Sequence, residues 1–100
     1  VCSNSIRNSI EVMLRHADLL RHIEFFLSNE DVVKAKPDPE IYTAAIVRLG
    51  LTPGECLIVE DNENGIRAAR ASGAHVMEVA TVDDVTYDRI CRAINAIRSA

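Results

Sequence analysis

Cys56-Leu57-Ile58-Val59-Glu60-Asp61-Asn62 places four apolar residues in an unbroken row and follows them with two adjacent acids. A short apolar run without polar alternation predicts a strand covered on both faces, as in parallel sheets. Beyond it, a small-residue pattern predicts a helix from about Asn64 to Ser72, stopped by Gly73, and His75 to Val79 predicts a second strand. Strand, helix, strand in that order implies a parallel β-α-β unit. Open parallel sheets bind ligands beyond the carboxyl ends of their strands, and Glu60 and Asp61 would stand there.

Working back from this unit, residues Asp31 to Asp38 read as a loop closed by Lys36-Pro37-Asp38-Pro39. Asp38 suits a helix N-cap and Pro39 the first helical position, since proline lacks the N–H that would go unsatisfied there. Ile41, Ala45 and Leu49 then form the buried stripe, and Gly50 the stop. Ile23 to Leu27 predicts a brief buried strand. Ile6, Ile10, Met13 and Leu14 mark a helix from Ser5 to about Leu20, with Ser3, Asn4 or Ser5 as N-cap. Downstream, Asp83 to Tyr87 reads as a connector and Tyr87 to Ile97 as a final helix with Ile90, Ile94 and Ile97 inward. The expected order is α, β, α, β, α, β, α: an α/β class with a Rossmann-like parallel sheet and flanking helices.

Bulk properties narrow the functions. At 100 residues the chain is one small domain or part of a larger one, and 48% apolar with 26% charged residues is ordinary globular composition. A net charge of −4 gives no electrostatic reason to expect nucleic acid or an anionic membrane as partner. No apolar run approaches the roughly 20 residues a membrane-spanning helix needs. Cys2, Cys56 and Cys91 are odd in number and widely spaced, so they read as reduced thiols of a cytoplasmic protein, not a disulfide or zinc framework. His16, His22 and His75 are scattered and read as structural. The first residue is Val1, not Met; a piece of a longer protein and a trimmed product would both start this way.

Three polar clusters fall where strands or loops end. Ser3 and Asn4 are donors ahead of a helix N-terminus, which attracts anions. Lys36 is a compact positive charge in a loop stiffened by two prolines. Glu60 and Asp61 repel each other and so call for a cation or a shared proton. Magnesium takes one or two carboxylates together with phosphate and water, which suits an acidic pair facing a phosphate.

Lys36-Pro37-Asp38-Pro39-Glu40-Ile41-Tyr42 resembles the third motif of the haloacid dehalogenase-like hydrolases, K-P-x-P-x-x-[FY] at the start of a helix. Ile58-Val59-Glu60-Asp61-Asn62-Glu63-Asn64-Gly65-Ile66 resembles the fourth, and Val1-Cys2-Ser3-Asn4 is similar to the second. The separations, 33 residues from Ser3 to Lys36 and 25 from Lys36 to Asp61, suit that superfamily, and the likeness spans nearly the whole chain. It is strongest toward the β-phosphoglucomutase and sugar-phosphate phosphatase group. Residues 1–100 would then be the C-terminal portion of such a core domain, carrying motifs two, three and four. The resemblance implies that Ser3 and Lys36 are catalytic, that Ser3, Asn4 and Lys36 bind the transferring phosphoryl group, and that Asp61, with Glu60, ligates Mg2+. The implied activity is Mg2+-dependent hydrolysis of a small phosphorylated metabolite through an aspartyl-phosphate. A phosphomutase is the alternative chemistry, and a non-catalytic module completed by another chain the alternative class.

The superfamily's nucleophile belongs to a D-x-D motif, and none of Asp18, Asp31, Asp38, Asp61, Asp83, Asp84 and Asp88 begins one. In that fold the nucleophile strand lies mid-sheet, between the strands ending near Ser3 and near Asp61. The expectation is therefore an incomplete sheet, with the central nucleophile strand and the cap domain absent. A missing N-terminal segment or another chain would complete it, and residues 1–100 alone would be inactive.

Overall fold

The computed structural model describes residues 1–99. In chain order its principal elements are α1 (Arg7–His16), α2 (Glu40–Leu49), β1 (Leu57–Glu60), α3 (Glu63–Ala71), β2 (His75–Glu78) and α4 (Tyr87–Ser99). β1 and β2 pair in parallel, with Leu57 opposite His75 and Glu60 opposite Glu78. The crossover between them is α3, which starts where the Asn62 side chain accepts the Asn64 N–H at 2.9 Å. Ala68 and Ala69 on its inner face are fully buried, and these small side chains let the helix lie close against the sheet. Gly73, at φ 84°, adopts the left-handed conformation that ends it.

Upstream, the expected strand at Ile23 to Leu27 is reduced to a single parallel bridge between Leu27 and Cys2. Leu27 N–H donates to Val1 O at 2.8 Å and Ser3 N–H to Leu27 O at 3.0 Å. The three-strand order read from sequence thus becomes a two-stranded sheet plus this bridge. The run does not stay extended: the chain bends at Glu24, and among the described residues only Leu27 bridges Cys2. The α/β class itself stands.

Helix ends also depart from expectation. α1 begins at Arg7 and ends at His16, short of Leu20, because the chain turns at Asp18 with φ 56°. None of Ser3, Asn4 and Ser5 caps it; Glu30 Oε2 accepts the Arg7 N–H at 2.6 Å instead. α2 begins one residue after Pro39, so Pro39, expected as the first helical residue, stands at the N-cap and Asp38, expected there, one place before it, where its Oδ1 accepts the Glu40 N–H at 3.0 Å. Gly50, at φ 72°, ends α2 as expected. The buried face of α2 is Ile41, Tyr42 and Ile46, whereas Leu49 is exposed, a rotation that turns Tyr42 inward. Ile94 of α4, expected inward, is exposed as well.

One core cluster joins Leu27, Ile41, Tyr42, Ile58, Ala68 and Ala69, binding α2 and α3 to the two sheet pieces. A second joins Ile10, Leu14 and Phe26 beneath α1. Between the Val1–Ser3 segment and the free edge of β1 lies a cleft of about 760 Å3. No helix among the described residues is long and apolar enough to cross a membrane.

Candidate active site

Four of the five residues singled out by sequence line that cleft: Ser3, Asn4, Lys36 and Glu60. The fifth, Asp61, lies between two wall residues, Glu60 and Asn62, but is itself exposed and outside the wall. Lys36 is the meeting point. Its Nζ donates to Glu60 Oε2 at 2.9 Å and to the Cys2 carbonyl at 3.0 Å. Its backbone N–H donates to Asn4 Oδ1 at 3.4 Å. One lysine therefore joins the segment bearing Ser3 and Asn4 to the end of β1.

The acidic pair calls for a cation, and Lys36 supplies it to Glu60. Both side chains are only about a tenth exposed, 10% and 11%, so their attraction is screened far less than a surface pair's would be. The Tyr42 hydroxyl donates to the same carboxylate oxygen, Glu60 Oε2. Burial alone would push the Glu60 carboxyl up, but the Tyr42 hydroxyl and the Lys36 ammonium together hold it below the usual carboxylate range. Burial and donation to Glu60 push the Tyr42 phenol well above its ordinary value, so it stays a donor.

Ser3 and Asn4 have their acceptor atoms occupied in a way that leaves donors free. Ser3 Oγ accepts the Ser5 N–H at 3.1 Å, and Asn4 Oδ1 accepts the Lys36 N–H. A hydroxyl has one proton and an amide two, so what remains for a ligand is donating character. Lys36 Nζ carries three donors, of which two are engaged by Cys2 and Glu60. A cleft lined by a hydroxyl, an amide and an ammonium, all with donors to spare, is suited to an oxyanion.

For Mg2+, Glu60 Oε1 accepts the Asp61 N–H at 3.3 Å, and the Asp61 carboxylate is exposed. Both are hard oxygen donors of the kind Mg2+ selects. Among the described residues no group of three His, Cys, Asp or Glu side chains stands together. The pair therefore fits one side of a Mg2+ site, whose other ligands would be phosphate oxygens, water or residues beyond these.

Sequence reasoning left two parts of the site without a role. Tyr42 belongs to the K-P-x-P-x-x-[FY] stretch, yet nothing local shows that its hydroxyl reaches Glu60. Gly65 is the other: a Cβ there would lie 2.1 Å from Glu60 Cδ, so only glycine lets the Glu60 side chain pass over the first turn of α3. A glycine so early in a helix, where it costs helix stability, was the available signal.

The haloacid dehalogenase-like hydrolase family matches residues 1–73. The chain belongs to that family. This haloacid dehalogenase-like chain is 36% identical over 76 residues to a haloacid dehalogenase-like hydrolase domain-containing protein of Arabidopsis thaliana, covering 73% of the chain and 24% of that protein. It is 35% identical over 60 residues to a phosphorylated carbohydrates phosphatase of Thermotoga maritima, covering 60% of the chain and 28% of that protein. It thus spans about a quarter of the length of these curated relatives. Among solved structures, a HAD family hydrolase from Deinococcus radiodurans with bound phosphate and sodium superposes with a TM-score of 0.75 at 29% identity, over 92% of this chain and 42% of that one.

Proposed function

We propose that these residues form the phosphate-holding and magnesium-holding half of a Mg2+-dependent phosphohydrolase that acts on a small phosphorylated metabolite. The observation that carries this reading is Lys36 in the cleft wall, joined to Asn4 through its backbone and to Glu60 at 2.9 Å through its side chain. Ser3 and Asn4 would donate to the phosphoryl oxygens, and Lys36 would neutralise the charge that accumulates as the phosphoryl group transfers. Asp61, with Glu60 Oε1, would hold Mg2+, which shields phosphoryl charge when bound. The attacking carboxylate would come from residues beyond these 100, on a strand seated between the Val1–Ser3 segment and β1. The cleft there, bordered by the unpaired edge of β1, supports that placement. Phosphorylated carbohydrates are the favoured substrate class, given the named activity of the Thermotoga relative.

The test uses both the 100-residue chain and the product of the complete coding sequence. With para-nitrophenyl phosphate and Mg2+, the chain alone should show no turnover, whereas the complete product should release phosphate from sugar phosphates. Lys36→Ala and Asp61→Asn in the latter should each lower kcat by about 100-fold or more. Metal-dependent turnover by the 100-residue chain, abolished by Asp61→Asn, would overturn the external nucleophile. A complete product indifferent to both substitutions would overturn the reading as a whole.

A further inference from the structure

We propose that Tyr42 is a positioning residue of this site, its hydroxyl acting through Glu60 to fix the Lys36 ammonium in the wall of the cleft. The inference rests on the reading of Lys36 as the phosphoryl-facing cation and adds what holds that cation in place. A lysine carries its charge on a flexible stem of four methylenes, and holding it still costs rotamer entropy unless partners are already ordered. Two partners meet Nζ. The Cys2 carbonyl belongs to the backbone and is fixed by the Leu27 bridge. The Glu60 carboxylate is itself the end of a flexible chain and needs an anchor.

Tyr42 is that anchor. Its ring lies in the core with Ile41, Leu27, Ile58, Ala68 and Ala69, so packing dictates where its hydroxyl stands. The hydroxyl donates to Glu60 Oε2, the same oxygen that accepts Lys36 Nζ. The face of the ring also lies 4.9 Å from Nζ, close enough for cation–π attraction. On the far side, Gly65 leaves room for Glu60 to lie in this position. Order thus passes from the packed core to Tyr42, from Tyr42 to Glu60, and from Glu60 to Lys36, while the third N–H of Lys36 remains for a ligand.

The chain holds only two lysines, Lys34 and Lys36, so one can report on the other. Lys34 is exposed and Lys36 is sheltered. Limited acetylation with acetic anhydride, located by fragment-ion mass spectrometry, should label Lys36 several-fold more slowly than Lys34 in the native chain. Tyr42→Phe keeps the ring and removes one oxygen, so a role in packing alone would leave that ratio unchanged. A positioning role predicts that Lys36 labelling accelerates roughly three- to tenfold, the effect of one lost hydrogen bond, with Lys34 unmoved. Glu60→Gln should accelerate it at least as much. If Tyr42→Phe leaves the ratio at its native value while Glu60→Gln raises it, the proposal is overturned. Should Tyr42→Phe unfold, as shown by lost helical circular dichroism, Gly65→Ala decides. That variant displaces Glu60 with Tyr42 intact and should unmask Lys36 in a folded chain; an unchanged ratio there overturns the proposal equally. Labelling requires neither phosphate nor metal. Protection of Lys36 by added inorganic phosphate and Mg2+ therefore tests the functional reading separately.

Discussion

At the scale of single residues, the site is a contest between flexible side chains and the atoms that pin them. Gly65 shows how close the margins are. Alanine is worth about 1 kcal/mol more than glycine inside a helix, so Gly65→Ala on propensity alone should stabilise α3. The added methyl would, however, fall 2.1 Å from both Cδ and Oε2 of Glu60. Glu60 can swing aside, but then it leaves Lys36 and Tyr42, and a sheltered ammonium loses its counter-charge. Breaking such a pair costs about 3 kcal/mol, more than the helix gains. Gly65→Ala is therefore expected to lower stability by about 1–2 kcal/mol in urea denaturation. In a Glu60→Ala background the obstruction is gone, and the same substitution should raise stability by about 1 kcal/mol. A change of equal sign in both backgrounds would show that Glu60 does not occupy the space above Gly65. The motifs single out Lys36 and Glu60, which the structure brings into contact, and Asp61, which stands exposed beside the cleft wall. The sequence did not disclose Gly65 or the Tyr42 hydroxyl, because their roles arise from a side chain folding back across two elements.

At the scale of elements, what was legible is what is written locally. The β1–α3–β2 unit follows from an apolar run, a small-residue pattern and a glycine at the helix end, all local to the boundaries they set. Asp38 and Gly50 frame α2 in the same way. The start of α1 was misread because its acceptor lies 23 residues away, at Glu30. Three polar residues stood ready beside the helix, and a distant carboxylate did the work. Glu30→Ala should accordingly cost about 1 kcal/mol, the worth of a lost N-cap, and the loss should be local. Amide hydrogen exchange at Arg7, Asn8 and Ser9 would quicken while exchange in α3 stays as it was. If exchange across the first turn of α1 is unaltered, the Glu30 contact carries no capping energy. The expected strand at Ile23 to Leu27 differs for a similar reason: its apolar run is legible, but the bend at Glu24 that breaks it is not.

At the scale of the whole molecule, two sheet pieces face each other across a cleft, and Lys36 is bonded to both sides of it. The pH dependence of stability should therefore report on that tie. Glu60 has a carboxyl that burial would raise, yet Tyr42 and Lys36 hold it below its ordinary 4.5. Asp31, held chiefly by the Ser28 backbone N–H, lies below its ordinary 3.8. A carboxyl lowered by folding contributes stability that is complete above its unfolded pKa and is lost as pH falls through its folded one. On the other side, burial raises the Cys2 thiol above its ordinary 9.0, and burial with the Glu60 contact raises the Tyr42 phenol above its ordinary 10.0. A group raised by folding contributes stability that is complete below its unfolded pKa and declines as pH rises beyond it. Stability should thus be level between about pH 5 and pH 9 and decline on both flanks. Thermal melts across that range would check the plateau, and Tyr42→Phe decides its cause. With no phenol to ionise, the variant should lose the part of the alkaline decline that begins near pH 10.0, and its acid decline should shrink because Glu60 has lost a donor. An alkaline limb identical in both proteins would mean that the Tyr42 proton contributes nothing to holding the two sides together.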